Sequence, residues 1–124
     1  MILLDTNYLI GTLISGSTEA SRVSSWLRTE EELCASAIAW YEFVSGPVGA
    51  EGIDLVSAVL RGRVLPFTGN HATEGARLWN VTGRQRRLRV DAMIAGAALA
   101  LDARLATANL GDFEAFVPHG LRLA

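Results

Sequence analysis

The sequence predicts an α/β domain built on a mostly parallel sheet. Three observations carry that expectation. Short apolar runs of strand length alternate with segments of helical periodicity along the chain, the order that strand–helix–strand units impose. No repeat, low-complexity tract or linker interrupts them, so residues 1–124 are expected to form one domain, a length that supports one core but not two. Half of the residues are apolar and 19% are charged, as in a folded globular chain and not a disordered one.

The elements follow in order. Ile2 to Asp5 reads as a short buried strand, because its aliphatic run is unbroken up to the acid. Residues 17–28 open with Ser17 and Thr18 and put Ala20, Val23 and Leu27 on one helical face. Leu33 to Ala35 is a second strand, after which Ser36 caps a nearly all-apolar helix ending near Gly46-Pro47. Residues 50–60 align Ile53, Val56 and Leu60 as a further helix. Val64 to Phe67 is a strand whose Pro66 marks its end or a sheet edge. Asn70 is a candidate cap for a helix carrying Ala72, Ala76 and Trp79 and stopping at Gly83. Asp91 is a candidate cap for the next helix, where Ala95, Gly96, Ala97 and Ala98 permit close packing. Arg104 to Thr107 is another strand and Leu121 to Leu123 a candidate last one, giving four to five in all. In open α/β sheets the site lies beyond the carboxyl ends of the strands, where Asp5 and the segment from Thr107 to Asp112 fall.

Composition removes several chemistries. All 11 basic residues are arginine, so neither a phosphate loop ending in lysine nor Schiff-base chemistry is available. One cysteine, Cys34, forms no internal disulfide and suits a reducing cytoplasm. With only His71 and His119 beside it, a Cys/His zinc site is not expected. No apolar run reaches the ~18 residues of a membrane span. The opening MILLDTNYLIG lacks a basic start and carries an acid, unlike a signal peptide. The expected location is therefore the cytoplasm. A net charge of −2 and a pI near 5.6 leave nucleic-acid binding to a local basic patch.

Four acids carry the functional signal: Asp5, Glu42, Asp91 and Asp112, in ILLDTN, SAIAWYEFV, RVDAMIAGAA and TANLGDF. Burying an unpaired carboxylate costs several kcal/mol or more, and Arg89 is the only arginine in these segments. A divalent cation is the alternative partner, since magnesium and manganese favour oxygen ligands. Each acid also has a plainer explanation. Asp91 suits a helix N-cap, Asp5-Thr6-Asn7 a cap or turn, and Asp112 a cap for a short turn through Phe116. Glu42 resists that reading, because its helical neighbours Ile38, Ala39 and Phe43 are apolar. Glu30-Glu31-Glu32 fits a solvated turn.

Asp-Thr-Asn after a first strand, an early helical Glu42, VDAMIAGAA and TANLGDF, in that order and at those separations, resemble the PIN-domain ribonucleases, and within them the VapC-type toxins of bacterial toxin–antitoxin pairs. The resemblance runs from Ile2 to about Phe113. It implies a twisted parallel sheet flanked by helices and an acidic quartet, Asp5, Glu42, Asp91 and Asp112, binding Mg2+ or Mn2+. Asn109 matches a further ligand or water contact, and Thr107 a hydroxyl that orients water or phosphate. Thr6 and Asn7 shape the first loop. The implied reaction is metal-assisted hydrolysis of RNA leaving a 5′-phosphate and a 3′-hydroxyl. The implied partners are the RNA substrate, a cognate antitoxin in a heteromeric complex, and a second copy in a homodimer, with no membrane.

The run GRQRRLRV places Arg84, Arg86 and Arg87 just before Asp91. It reads either as a solvated loop or as a phosphate-binding surface, the guanidinium fork matching phosphate geometry. Trp79 is the one nearby aromatic and is expected in the core; His71 and His119 are expected to be structural or exposed. Trp40, Tyr41 and Phe43 fit an antitoxin site, a homodimer interface or the core. Helices near residues 50–60 and 91–101 are candidates for the dimer contact. A phosphate-receiving signalling domain is excluded by the missing lysine. An RNA-processing nuclease without a toxin role and a non-catalytic PIN-like partner-binding module are the alternatives.

Overall fold

Four short strands, the first three each followed by two α-helices and the last by one, run along residues 1–124 of the computed structural model. The strands are β1 (Ile2–Leu4), β2 (Leu33–Ser36), β3 (Val64–Leu65) and β4 (Arg104–Ala106). They form one sheet in the order β3-β2-β1-β4. Every pairing is parallel, with Leu3 opposite both Cys34 and Leu105. The helices are α1 (Thr6–Thr12), α2 (Thr18–Arg28), α3 (Ala37–Ser45), α4 (Ala50–Val59), α5 (Gly69–Val81), α6 (Arg89–Ala100) and α7 (Leu110–Phe113).

The unbroken Ile-Leu-Leu of β1 is wholly buried, as a central parallel strand covered on both faces requires. From β1 the chain steps outward to β2 and β3, then returns to add β4 on the other side of β1. That reversal opens a crevice beyond the carboxyl ends of β1 and β4, the place where such sheets bind ligands. Asp5 N–H donates to the Ala106 carbonyl at 2.9 Å, so the pairing extends one residue past β1 and holds the two strand ends together.

Helix α6 is central to the packing. Its residues Ala92 and Ile94–Ala98 are buried, and a Cβ added at Gly96 would lie 2.3 Å from the backbone nitrogen of Gly75 in α5. The two helices meet backbone to backbone, the close packing expected of the small-residue run.

Several boundaries differ from expectation. Asp5 caps a helix, α1, that periodicity did not reveal. Thr68, not Asn70, caps α5, accepting from His71 N–H. The inward face of α5 is His71, Gly75 and Leu78. Ala72 and Ala76 are exposed, because contact with Gly96 sets the rotation of the helix. On α2, Val23 is buried, whereas Leu27 is exposed and Trp26 stacks on Tyr8 at 5.9 Å. Asp91 does not cap α6: that helix starts two residues earlier, after a 3-10 turn at Arg86–Leu88 whose Leu88 is buried. Strand β3 stops at Leu65, and Leu121 to Leu123 contributes only one bridge, Leu105 to Leu123. No helix is long and apolar enough to cross a membrane.

Candidate active site

Asp5 is the most fixed of the four acids. It is 4% exposed and caps α1, its Oδ1 accepting from Thr6 N–H at 2.8 Å. Its Oδ2 accepts from the Thr107 hydroxyl at 2.7 Å and the Asn7 amide at 3.2 Å. Burial pushes its carboxyl up, the bonds from Thr107 and Thr6 oppose this, and the charge of Glu42 adds to the rise.

Loops after β1 and β4 are tied to each other here. The Thr107 hydroxyl also accepts from Asn109 N–H at 3.0 Å, and Asn7 Oδ1 accepts from Ala108 N–H at 2.9 Å. Thr107 is itself buried. Asn7 thus does more than shape its own loop.

Glu42 arrives from α3. Ala39 and Phe43 turn into the core while Glu42 and Tyr41 are exposed, so the apolar setting suggested by its neighbours is the other face of the helix. Its Oε1 accepts from the Thr6 hydroxyl at 2.8 Å. Thr6 therefore joins two acids, its N–H on Asp5 and its hydroxyl on Glu42.

Asp91, in the first turn of α6, is half-buried. Its carboxyl is pushed up to about 6, first by burial, then by the charges of Asp5, Asp112 and Glu42, with Arg87 opposing. Each of the other three acids thus acts on Asp91 through space. Asp112 in α7 accepts from the Asn109 amide at 3.0 Å on Oδ2 and from Arg87 on Oδ1. Those bonds, Asn109 first, hold its carboxyl below the usual range.

Hence the fold links Asp5, Glu42, Asp112, Thr107 and Asn109 in one bonded cluster beyond the carboxyl ends of β1 and β4, with Asp91 near enough for their charges to act on it. The donor set is all oxygen, which fits a hard divalent cation, and the mutual repulsion at Asp91 is what such a cation relieves. As they stand, no three His, Cys, Asp or Glu side chains close around a single point. Glu42 is held by Thr6, and Asp112 by Arg87 and Asn109.

The PIN domain family matches residues 2–116. This chain is a PIN domain. Solved structures agree. It is similar to a FitAcB chain from Neisseria gonorrhoeae at 25% identity, with 99% of this chain and 96% of that one covered and a TM-score of 0.71. A DNA-bound VapBC chain from Salmonella typhimurium gives 26% identity, 99% and 96% coverage, and a TM-score of 0.70. A toxin–antitoxin complex from Klebsiella pneumoniae shares the fold at 23% identity, 91% and 90% coverage, and a TM-score of 0.66. No curated protein matches significantly.

The remaining candidates of this PIN domain divide. Arg87 reaches the acids, an ion pair that short-range sequence patterns do not show because its partner lies 25 residues on. Arg84 turns away: its guanidinium carbon lies 4.5 Å from the centre of the Trp79 ring, and it donates to Asn80 Oδ1 at 2.7 Å. Arg86 makes no ion pair. Trp79, expected in the core, is only partly buried, with Arg89 as well as Arg84 against its ring. His71 is buried, its Nδ1 unpartnered and its pKa lowered by burial. Burial pushes the Cys34 thiol up to about 11, so it is no nucleophile.

Proposed function

We propose that this PIN domain, acting as one unit over residues 1–124, is a magnesium- or manganese-dependent endoribonuclease and the toxin of a toxin–antitoxin pair. The observation that supports the proposal most is the bonded chain of acids beyond β1 and β4: Thr6 joins Asp5 to Glu42, and Thr107 and Asn109 link Asp5 to Asp112. PIN domains are generally nucleases. Asp5, Glu42, Asp91 and Asp112 would hold the ion, with Asn109 as a further contact. When bound, it supplies an activated water and neutralises the phosphate under attack.

The chain's own residues supply positioning. Asp5 is locked by Thr6, Asn7 and Thr107, so its carboxylate presents one orientation without reorganisation at the moment of reaction. Thr107 keeps its hydroxyl between Asp5 and the Asn109 backbone, and Thr6 holds Glu42 at the rim. Arg86 and Arg87 form the basic edge along which an RNA backbone lies, and Arg84, held against Trp79 and Asn80, extends it.

Toxin and partner roles rest on the VapC-type sequence pattern and on likeness to the FitAcB and VapBC chains at 25% and 26% identity. Tyr41 is 73% exposed beside Glu42, with Val44 on the same helix, Ile10 in α1 and Ile14 just after it also exposed, apolar surface fit for an antitoxin peptide. Phe43 belongs to the core instead. For a homodimer, α4 offers exposed Leu55, whereas α6 is mostly buried within its own chain.

The test is expression of the chain alone from a tight promoter. Growth arrest relieved by Asp5→Ala and by a co-expressed neighbouring antitoxin supports the toxin role. A harmless wild type that still cleaves RNA in vitro replaces it with an RNA-processing role.

A further inference from the structure

Arg87 is the only basic side chain paired with any of the four acids. Its position is built into the fold. Gly83 and Arg84 take left-handed backbone angles, φ 93° and 57°, which reverse the chain after α5. Leu88, buried at the head of α6, anchors the following 3-10 turn. From that turn the guanidinium takes Oδ1 of Asp112 while Asn109 takes Oδ2. Both oxygens of Asp112 are therefore already held by donors of the chain.

We infer that Arg87 is an internal counter-cation of the acidic site, which a divalent ion must displace from Asp112 before that carboxylate joins it. The inference rests on the proposed metal site. Arginine cannot give up its proton at accessible pH, so clearing Asp112 requires the guanidinium to move. A dication and a guanidinium sharing one carboxylate repel each other. The arginine side chain is 62% exposed and swings into solvent without disturbing the core. Because an exposed pair is weak, it lowers ion affinity and does not block the site. Once displaced, the planar fork is free for a phosphate oxygen of the incoming strand.

The experiment is calorimetric titration of purified wild type, R87Q, R87K, R86Q and D5N with manganese chloride. R87Q should bind the ion about three- to fivefold more tightly than wild type, the factor an exposed ion pair supplies. R87K, which keeps the charge, should stay near wild type. R86Q removes the same charge next door and should change affinity by less than about twofold, since that charge is screened and unpaired. Loss of the heat in D5N locates it at the acidic crevice. Unchanged or weaker binding by R87Q, or equal tightening by R86Q, overturns the role of Arg87 while leaving the metal site standing. Absence of binding by every protein, wild type included, overturns the metal site and this inference with it.

Discussion

Asp91→Asn should stabilise the protein in chelator, an unusual outcome for altering a residue of a proposed active site. The carboxyl of Asp91 is raised from 3.8 to about 6 in the folded chain. A folded-state pKa above the unfolded one means that the neutral form is favoured by folding. That stability is complete below pH 3.8 and is lost as the pH rises through 6. The rise corresponds to about 3 kcal/mol in full. Asp91 is partly open to solvent, and screening reduces this to roughly 1–2 kcal/mol. Asparagine keeps the neutral state at every pH. In EDTA at pH 8, D91N should therefore melt roughly 4–8 °C above wild type for a domain of this size. The gap should close near pH 4. Saturating magnesium should raise the melting point of wild type and leave D91N nearly unmoved. Differential scanning fluorimetry across a pH series measures all of this. A D91N protein that melts at or below wild type at pH 8 in chelator refutes the claim that burial and the neighbouring carboxylates disfavour the charged form of Asp91.

Three further outcomes are expected. Thr107→Val removes the shortest bond to buried Asp5 and a partner of Asn109 N–H; urea denaturation should show a loss of about 1–3 kcal/mol. Gly96→Ala forces a methyl against the Gly75 backbone; a loss of at least ~3 kcal/mol, or failure to fold, should appear in circular dichroism, overpacking here having no side chain to yield. Combined R84Q and R86Q should weaken RNA binding and reduce its salt dependence by roughly 0.7 per lost phosphate contact, measured by fluorescence anisotropy at several salt concentrations, while the melting point holds.

The fold was largely legible because its signals are local. Aliphatic runs mark β1, β2 and β4, Ser17 and Ser36 cap the helices that follow them, and the small residues of α6 announce close packing. What escaped depends on distant contacts. Nothing near Ala72 or Ala76 reveals that they face solvent, since the rotation of α5 is decided by Gly96 some twenty residues on. Helix α1 stayed hidden because TNYLIGT mixes a core face with exposed Ile10 over only seven residues. Of the candidate site, the four acids are suggested by their segments and by the resemblance those segments carry, whereas the bonds joining them are not. Thr6 bridging Asp5 and Glu42, and Arg87 on Asp112, are properties of the closed sheet. Glu42 looked buried because Ala39 and Phe43 are; the helix turns it outward.

The central claim is that the crevice at Asp5, Glu42, Asp91 and Asp112 cleaves RNA with a divalent ion. Its most direct test is incubation of the purified protein with single-stranded RNA and magnesium or manganese, with sequencing of the product ends. Cleavage yielding 5′-phosphate and 3′-hydroxyl ends, abolished by EDTA and by Asp5→Asn, is the result expected. Intact RNA under both metals, or cleavage that persists in EDTA or in the Asp5→Asn protein, contradicts it.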